Sequence, residues 1–114
     1  MWEIEYYKNA RGDCEALDFI RSFSDKRLGL TIFKSLEDLR NFGPYSLMKI
    51  GIVEKVERNL YELRCHFGKT AFRILFYQQN KKIFIALIFI KKTNKLKSRH
   101  IELAQRRINE YLNI

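Results

Sequence analysis

Four basic side chains in the second half of the chain have the types and spacing to bind a phosphate-rich partner. Arg64 and Arg73 lie nine residues apart in two segments that alternate apolar and polar residues, and Lys91 and Lys92 directly follow an apolar run. A guanidinium can donate two parallel hydrogen bonds to a phosphate, whereas an ammonium acts as a compact point charge. The pattern predicts basic groups that converge on one side of a sheet. By itself it does not indicate catalysis.

Each of these residues also has a purely structural interpretation. Arg64 could pair with Glu62 or Glu57, as surface charges commonly do. Arg73 lies among apolar neighbours, where an unpaired guanidinium is costly to bury, so it could instead form an ion pair that joins two strands. The two lysines could be solvated charges at the end of a strand. The sequence leaves these alternatives open.

The distribution of charge favours a polyanionic partner. The chain has 22 Lys and Arg residues against 13 Asp and Glu residues, for a formal net charge of +9. Residues 44–114 hold fifteen bases and five acids, and residues 81–99 hold seven bases and no acid. Such clustering is the electrostatic footprint expected of a nucleic-acid-binding domain, with ordinary solubility charge as the alternative.

The first half of the chain predicts one strand and two helices. Residues 2–6 alternate apolar and polar side chains, as a short strand does. Apolar residues at helical spacing follow over 16–23 and again over 28–39, and Gly43-Pro44 is the usual signature of a helix end. We expect an antiparallel pair of helices.

The second half predicts a three-stranded meander and a last helix. Strands over 59–66, 70–77 and 83–90 are joined by turns at residues 67–69 and 79–81, and the third strand is apolar on both faces, as a central strand is. Ser98 is expected to cap the final helix, with Arg106 and Arg107 facing outward. The predicted fold is α+β, β-α-α-β-β-β-α: one domain over 1–114, with an antiparallel sheet packed by an N-terminal helical hairpin and a C-terminal helix.

Several classes of site are not indicated. Cys14 and Cys65 do not suggest a disulfide framework or metal ligation, and His66 and His100 are 34 residues apart. The chain has no glycine-rich phosphate loop and no nucleophile elbow. No apolar run approaches the length of a membrane span, and residues 1–5 do not resemble a signal peptide. We therefore expect a cytoplasmic domain that uses no metal or cofactor and contacts no membrane.

A series of short motifs resembles the RelE/ParE superfamily of type II toxins, and most closely its phage-derived HigB-like branch. The motifs are LYELR at 60–64, FRILFY at 72–77, FIKKT at 89–93 and IELA at 101–104 followed by Arg107 and Tyr111. The resemblance covers essentially the whole chain. The chain departs from it in three places: Lys97 stands where the family often has Pro, His100 stands where it often has an acid, and residues 51–54 are a local variation.

This resemblance implies a ribosome-dependent endoribonuclease that cleaves mRNA by attack of a ribose 2′-OH, without a metal. Arg64, Arg73, Lys91 and Lys92 would stabilise the phosphorane charge. His66, Tyr77 and His100 are the candidates for general acid and base. The wider RNA-binding surface would consist of Lys69, Lys81, Lys82, Lys95 and Lys97.

The implied partners are the ribosome with its mRNA and a cognate antitoxin encoded by a neighbouring gene. Three other functions remain open at this point. A ParE-like relative would inhibit DNA gyrase, an inactive relative would only bind nucleic acid, and a structural phage protein would have no antitoxin gene beside it.

Overall fold

A computed structural model of the chain describes residues 1–113, which form five strands and three helices. In chain order these are β1 (Glu3–Tyr6), α1 (Glu15–Arg21), α2 (Lys26–Lys49), β2 (Val53–Glu57), β3 (Leu60–Phe67), β4 (Thr70–Gln79), β5 (Lys82–Ile90) and α3 (Ser98–Leu112). The strands make one sheet in the order β1-β5-β4-β3-β2. The predicted α+β fold is therefore confirmed, with two differences in the sheet.

The first difference is an additional strand, β2, where the sequence predicted only a local variation. Val53 pairs with Leu63 and Glu54 with Glu62, so β2 lies antiparallel to β3 at the edge of the sheet. Its sequence, VEKVE, is short and charged, and only Val53 is fully buried. Charged, short edge strands resist pairing with other chains, but for the same reason they give a weak sequence signal.

The second difference is that the sheet is mixed rather than antiparallel. β5 is central, as its two apolar faces predicted, but its second neighbour is β1, which pairs with it in parallel. Glu3 lies opposite Lys82 and Tyr6 opposite Ile85. A central strand needs a hydrogen-bonding partner on both sides, and the N-terminal strand fills the side that the meander leaves open.

The two faces of the sheet are covered by different helices. Because side chains alternate along a strand, Phe72 and Ile74 of β4 pack with α1 and α2, while Leu75 and Tyr77 pack with α3. Arg73 therefore points to the α3 face. The ends of the sheet are left uncovered by this arrangement, and the candidate site lies at one of them.

Helix α3 differs from its prediction at two positions. Its N-cap residue is Lys97 rather than Ser98, and no side chain caps it. Arg107 does not face outward with Arg106, because its guanidinium Nη1 donates to the Ala86 carbonyl of β5 at 2.9 Å. The guanidinium also pairs with Glu15 at 3.0 Å and stacks over the ring of Tyr7. Arg107 thereby links α3 to β5 and to the start of α1.

The break predicted at Gly43-Pro44 occurs, but the chain returns to a helix after it. Gly43 has φ 82° and ψ 161°, a conformation largely restricted to glycine, and α2 continues to Lys49. Pro44 suits the first turn of the new helical segment, because proline lacks the N–H that would be unsatisfied there. The indole of Trp2 packs directly against the Gly43 Cα, and the Trp2 backbone N–H donates to the Arg40 carbonyl at 2.8 Å.

Gly43→Ala should lower the free energy of unfolding by roughly 2–4 kcal/mol, because it combines backbone strain with a clash against Trp2. Gly51→Ala is the matched control: Gly51 also has a positive φ, of 76°, but nothing lies within 4 Å of the Cβ that Ala would add. It should lose only the strain contribution, about 1–2 kcal/mol. Urea unfolding of both variants measures the difference, and equal losses would contradict a tight Trp2 contact.

Candidate active site

The β3–β4 hairpin places the two predicted arginines directly opposite each other. Arg64 pairs in register with Arg73, and residues that face each other across an antiparallel pair project from the same side of the sheet. The turn between the strands has two residues, Gly68 and Lys69, with the positive φ at Gly68 that such tight turns require. The local sequence thus fixes the register that brings the arginines together.

Arg73 is only 5% exposed, and its guanidinium is held at several points. Its Nε lies 3.2 Å from a carboxylate oxygen of Glu62, an ion pair without the alignment of a hydrogen bond. Its Nη2 donates to the carbonyl oxygens of Thr93 at 3.2 Å and Asn94 at 2.7 Å. Nη1 makes no hydrogen bond within residues 1–113. The ion pair that the sequence allowed for Arg73 is therefore present, and it extends to the loop at residues 91–97.

Glu62 is a functional candidate that the sequence analysis did not select. It is buried on β3, and its second oxygen lies 3.6 Å from Arg64. Arg64 makes a closer pair with Glu54 at 2.8 Å, and its Nη2 donates to the Gly51 carbonyl. Glu54, Arg64, Glu62 and Arg73 thus form a row of alternating charge. The spacing of Glu62 and Arg64, two residues apart on one face of a strand, was the available signal.

A cavity of about 280 Å³ lies beside Arg73, where β5 ends and α3 begins. Phe19 of α1, with Phe89 and Ile90 of β5, supplies apolar lining. The cationic lining consists of Arg73, Lys92, Lys95, Lys97 and Arg99, with His100 alongside. No Asp or Glu within residues 1–113 lines this pocket. Converging cations in a concave site raise the local concentration of an anionic ligand.

His100 is the titratable base of this pocket. Its ring stacks on Phe89 with the centroids 3.8 Å apart, and its Nδ1 is buried without a hydrogen-bond partner among the described residues. Burial lowers the pKa of His100, and the positive charges of Arg99, Lys97 and Arg73 lower it further. A neutral imidazole is the form that can accept a proton, so His100 is suited to act as a general base near neutral pH.

The other predicted acid–base residues lie outside the pocket. His66 is exposed and borders a separate groove beside Arg64. Tyr77 is buried, its hydroxyl contacts the side chain of Gln79, and it lies four residues along β4 from Arg73, about 13 Å by strand rise. Lys91 is half-buried and does not line the pocket; its backbone N–H donates to the Ala71 carbonyl at 2.8 Å.

The basic segment 81–99 is divided between the two ends of the sheet. Lys81 and Lys82 stand at the start of β5, about 26 Å by strand rise from its last residue. There Lys81 lies over the ring of Trp2, and Lys82 approaches Glu5 at 4.0 Å. The sequence clusters these lysines with the loop cations, but the extended strand between them separates the two groups.

The end of the sheet that holds the pocket gathers further cations, and we call it the cationic end. Lys69 lies there because the β3–β4 turn and the last residue of β5 are neighbours: Phe72 pairs with Ile90. Arg27, at the start of α2, lies over the ring of Phe67 at 5.0 Å, and the sequence analysis did not single it out. The cationic end comprises Arg27, Lys69, Arg73, Lys92, Lys95, Lys97 and Arg99.

Within residues 1–113, no group of three or more His, Cys, Asp or Glu side chains is placed to hold a metal ion. In the same residues, no helix has the length and apolar character needed to cross a bilayer.

The architecture and the pocket define an α+β domain consistent with the RelE-like fold, carrying a cationic site at one end of its sheet. The chain belongs to the family described as Phage derived protein Gp49-like, whose model matches residues 18–109. That match begins within α1 and includes all the residues selected above as site candidates. Membership is consistent with a toxin of a toxin–antitoxin system. None of the curated proteins matches this chain.

Replacing Arg73 by Met should destabilise the fold by up to about 3–5 kcal/mol, because the buried Glu62 carboxylate would lose its nearer partner and keep only Arg64, at 3.6 Å. The double variant Arg73→Met with Glu62→Leu should recover part of that loss, since neither charge remains to be desolvated. Arg64→Met is the control: its side chain is 40% exposed, so about 1 kcal/mol or less is expected. Urea unfolding of wild type, the single variants Arg73→Met and Glu62→Leu and their double variant gives the coupling energy, and strictly additive losses would contradict a specific Glu62–Arg73 interaction.

Proposed function

We propose that this protein is the toxin of a type II toxin–antitoxin system, of the HigB-like branch, and that it cleaves ribosome-bound mRNA as a metal-independent endoribonuclease. Family membership supports a toxin. The observation that carries the nuclease assignment is the acid-free cationic pocket, which combines a buried arginine with a histidine held neutral. These are the groups needed for phosphoryl transfer between parts of one RNA chain.

In the proposed reaction, the ribose 2′-oxygen attacks the adjacent phosphorus. His100 accepts the 2′-OH proton as the new O–P bond forms, and negative charge accumulates on the phosphorane oxygens. The free Nη1 of Arg73 and the Lys92 ammonium stabilise that charge. The bond from phosphorus to the 5′-oxygen then breaks, and that oxygen takes a proton from water. The products are a 2′,3′-cyclic phosphate and a new 5′-OH end.

The remaining predicted residues have supporting places in this proposal. Arg64 and Lys91 do not line the pocket, so they contribute through their charge rather than by contact with the scissile phosphate. Lys69, Lys95 and Lys97 bind the RNA backbone on either side of it. Lys81 and Lys82, at the opposite end of the sheet, provide a second contact with ribosomal RNA. His66 and Tyr77 have no part in the chemistry.

The proposed partners are the ribosome with its mRNA, in the cytoplasm, and an antitoxin from a neighbouring gene. The cationic end favours an antitoxin with an acidic segment, which would compete with RNA for the same charges. Complex formation with the neighbouring gene product should then weaken as ionic strength rises. A complex that is indifferent both to salt and to loss of Lys95 and Lys97 would point to neutralisation at another surface.

The decisive experiment is primer extension on mRNA incubated with programmed ribosomes and the purified protein. Wild type should create new 5′ ends, and a single 2′-deoxynucleotide at the mapped cleavage site should abolish cutting there. Binding without new ends would indicate an inactive RNA-binding module. A parallel supercoiling assay with DNA gyrase tests the ParE-like alternative, and inhibition of gyrase without RNA cleavage would replace our proposal.

The rate of cleavage should depend on the protonation of His100. Because the pKa of His100 is lowered, the neutral base forms below the ordinary value of about 6.5, and kcat/KM should fall as the pH drops through that depressed pKa. His100→Gln should lower the rate and remove this acidic limb. Profiles from pH 5 to 8 measure both, and a limb that persists in the variant would assign the base elsewhere.

Two pairs of lysines should separate docking from chemistry. Lys81→Ala with Lys82→Ala should reduce the salt dependence of ribosome association, by about 0.7–0.9 in log–log slope for each lost phosphate contact, with little change in cleavage at saturating protein. Lys95→Ala with Lys97→Ala removes the same charge from the pocket and should lower the cleavage rate as well. Equal cleavage by the two double variants would show that the pocket is not the reactive site.

A further inference from the structure

We infer that Glu62 is a positioning residue of the pocket, which holds the 91–97 loop in place by fixing the guanidinium of Arg73. The predicted effect of Glu62 on the cleavage rate rests on the proposed function, whereas its effect on loop order does not. Glu62 lies on β3 opposite Leu75, one strand away from Arg73 and two residues along, so the two side chains meet diagonally on the α3 face. Both residues are 5% exposed.

The guanidinium is planar, so a contact at one nitrogen fixes the direction of the others. Glu62 lies 3.2 Å from Nε, and the neighbouring Nη2 of the same planar group donates to the carbonyls of Thr93 and Asn94. Charge pairing also offsets the cost of burying the guanidinium. Without the carboxylate, the cost of burying the Arg73 guanidinium is no longer offset, so the group moves toward water. The carbonyls of Thr93 and Asn94 then lose their donor.

Few other contacts hold the loop. The Lys91 N–H bonds to β4, and the Lys97 carbonyl accepts from the first turn of α3, so both ends are fixed. Between those ends, the Thr93 hydroxyl bonds only within the loop, to Lys95. Leu96 packs on the α3-side core. Within residues 1–113, the hydrogen bonds from the rest of the protein to residues 92–96 therefore come from Arg73 alone. Lys92 and Lys95 are carried by this segment.

The sign of the Glu62 charge distinguishes positioning from a general electrostatic role. A carboxylate beside a cationic site opposes RNA binding, so if charge alone mattered, removing it would strengthen binding and leave kcat unchanged or raised. If Glu62 positions the loop, Lys92 and Lys95 still attract RNA, but Lys92 no longer meets the phosphorane oxygens. The rate of the chemical step then falls although the site has become more positive.

The test compares Glu62→Gln with Glu54→Gln. Each variant removes one negative charge from the same row, but Glu54 is 61% exposed and contacts Arg64 rather than Arg73. Steady-state cleavage of ribosome-bound mRNA gives kcat and KM, and the ¹H–¹⁵N nuclear Overhauser effect of the amides at 92–97 reports loop order. For Glu62→Gln we expect kcat about 10–100-fold lower, KM unchanged or lower, and mobile loop amides. Glu54→Gln should match wild type in both measurements.

Three outcomes would overturn the inference: a loop as ordered in Glu62→Gln as in wild type, a lower KM with unchanged kcat, or mobility spread equally over the sheet. If Glu62→Gln does not fold, Glu62→Asp keeps the charge but withdraws it by one methylene, and an ordered loop with full activity there would contradict the inference. Should the wild type cleave no RNA, the proposed function fails, whereas the loop dynamics of the variants still decide the role of Glu62.

Discussion

A guanidinium enclosed in a sheet must find a charge partner and hydrogen-bond acceptors, and the solution found for Arg73 governs the arrangement of the candidate site. Its carboxylate partner comes from the neighbouring strand, and its acceptors come from a loop that would otherwise have little to hold it. The position of that loop determines where Lys92 and Lys95 stand and how α3 begins. One buried side chain thereby couples the strand pairing of the hairpin to the shape of a pocket several residues away.

The location of the pocket follows from the way the sheet is covered. Helices α1 and α2 bury one face of the sheet, and α3 covers β4 and β5 on the other, so the centre of the sheet is enclosed on both faces. The ends of the strands remain, and there turns, helix starts and the 91–97 loop bring together residues distant in sequence. Arg107 completes this enclosure by tying α3, β5 and α1 at the back of the site. Apolar packing between the sheet and the helices makes the domain rigid, and the pocket cations lie at the end of the sheet that the helices leave uncovered.

Most of the fold follows from patterns that the sequence shows directly. The double-sided apolar run of β5 made it central, the two short turns fixed the meander, and helical spacing located α1, α2 and α3. The predictions that were wrong depended on long-range partners. β2 is too charged to be recognised without β3 beside it, and the parallel pairing of β1 depends on the edge that β5 leaves open. The inward turn of Arg107 depends on the Ala86 carbonyl.

The sequence predicted a cationic site, but it did not predict which residues would form it. Alternation along the strands brought Arg64 and Arg73 to one face, as expected. The sequence could not show that Arg64 would pair with Glu54, or that Arg73 would donate its hydrogen bonds to loop carbonyls. Nor could it show that Lys81 and Lys82 stand at the far end of an extended strand from Lys92. Phe19 joined the site through tertiary packing alone, and the only sequence signal for Glu62 was its spacing from Arg64 on the same strand face. The sequence showed that residues 81–99 are strongly basic. It did not show that β5, as an extended strand, places these charges at two opposite ends of the sheet.

The parallel pairing of β1 with β5 has a consequence for the biogenesis of the protein. The first strand to be synthesised finds its partner only after nearly eighty further residues have been added, and the pocket needs Phe19 from the early part of the chain together with Arg99 and His100 from the late part. A nascent chain that has not yet added α3 holds all five strands, but its pocket lacks Arg99 and His100 and the sheet face that α3 covers is exposed. Domains with such distant contacts fold late, when the whole chain is available. The pocket is therefore one of the last features of the fold to form, because it needs residues from both the early and the late part of the chain.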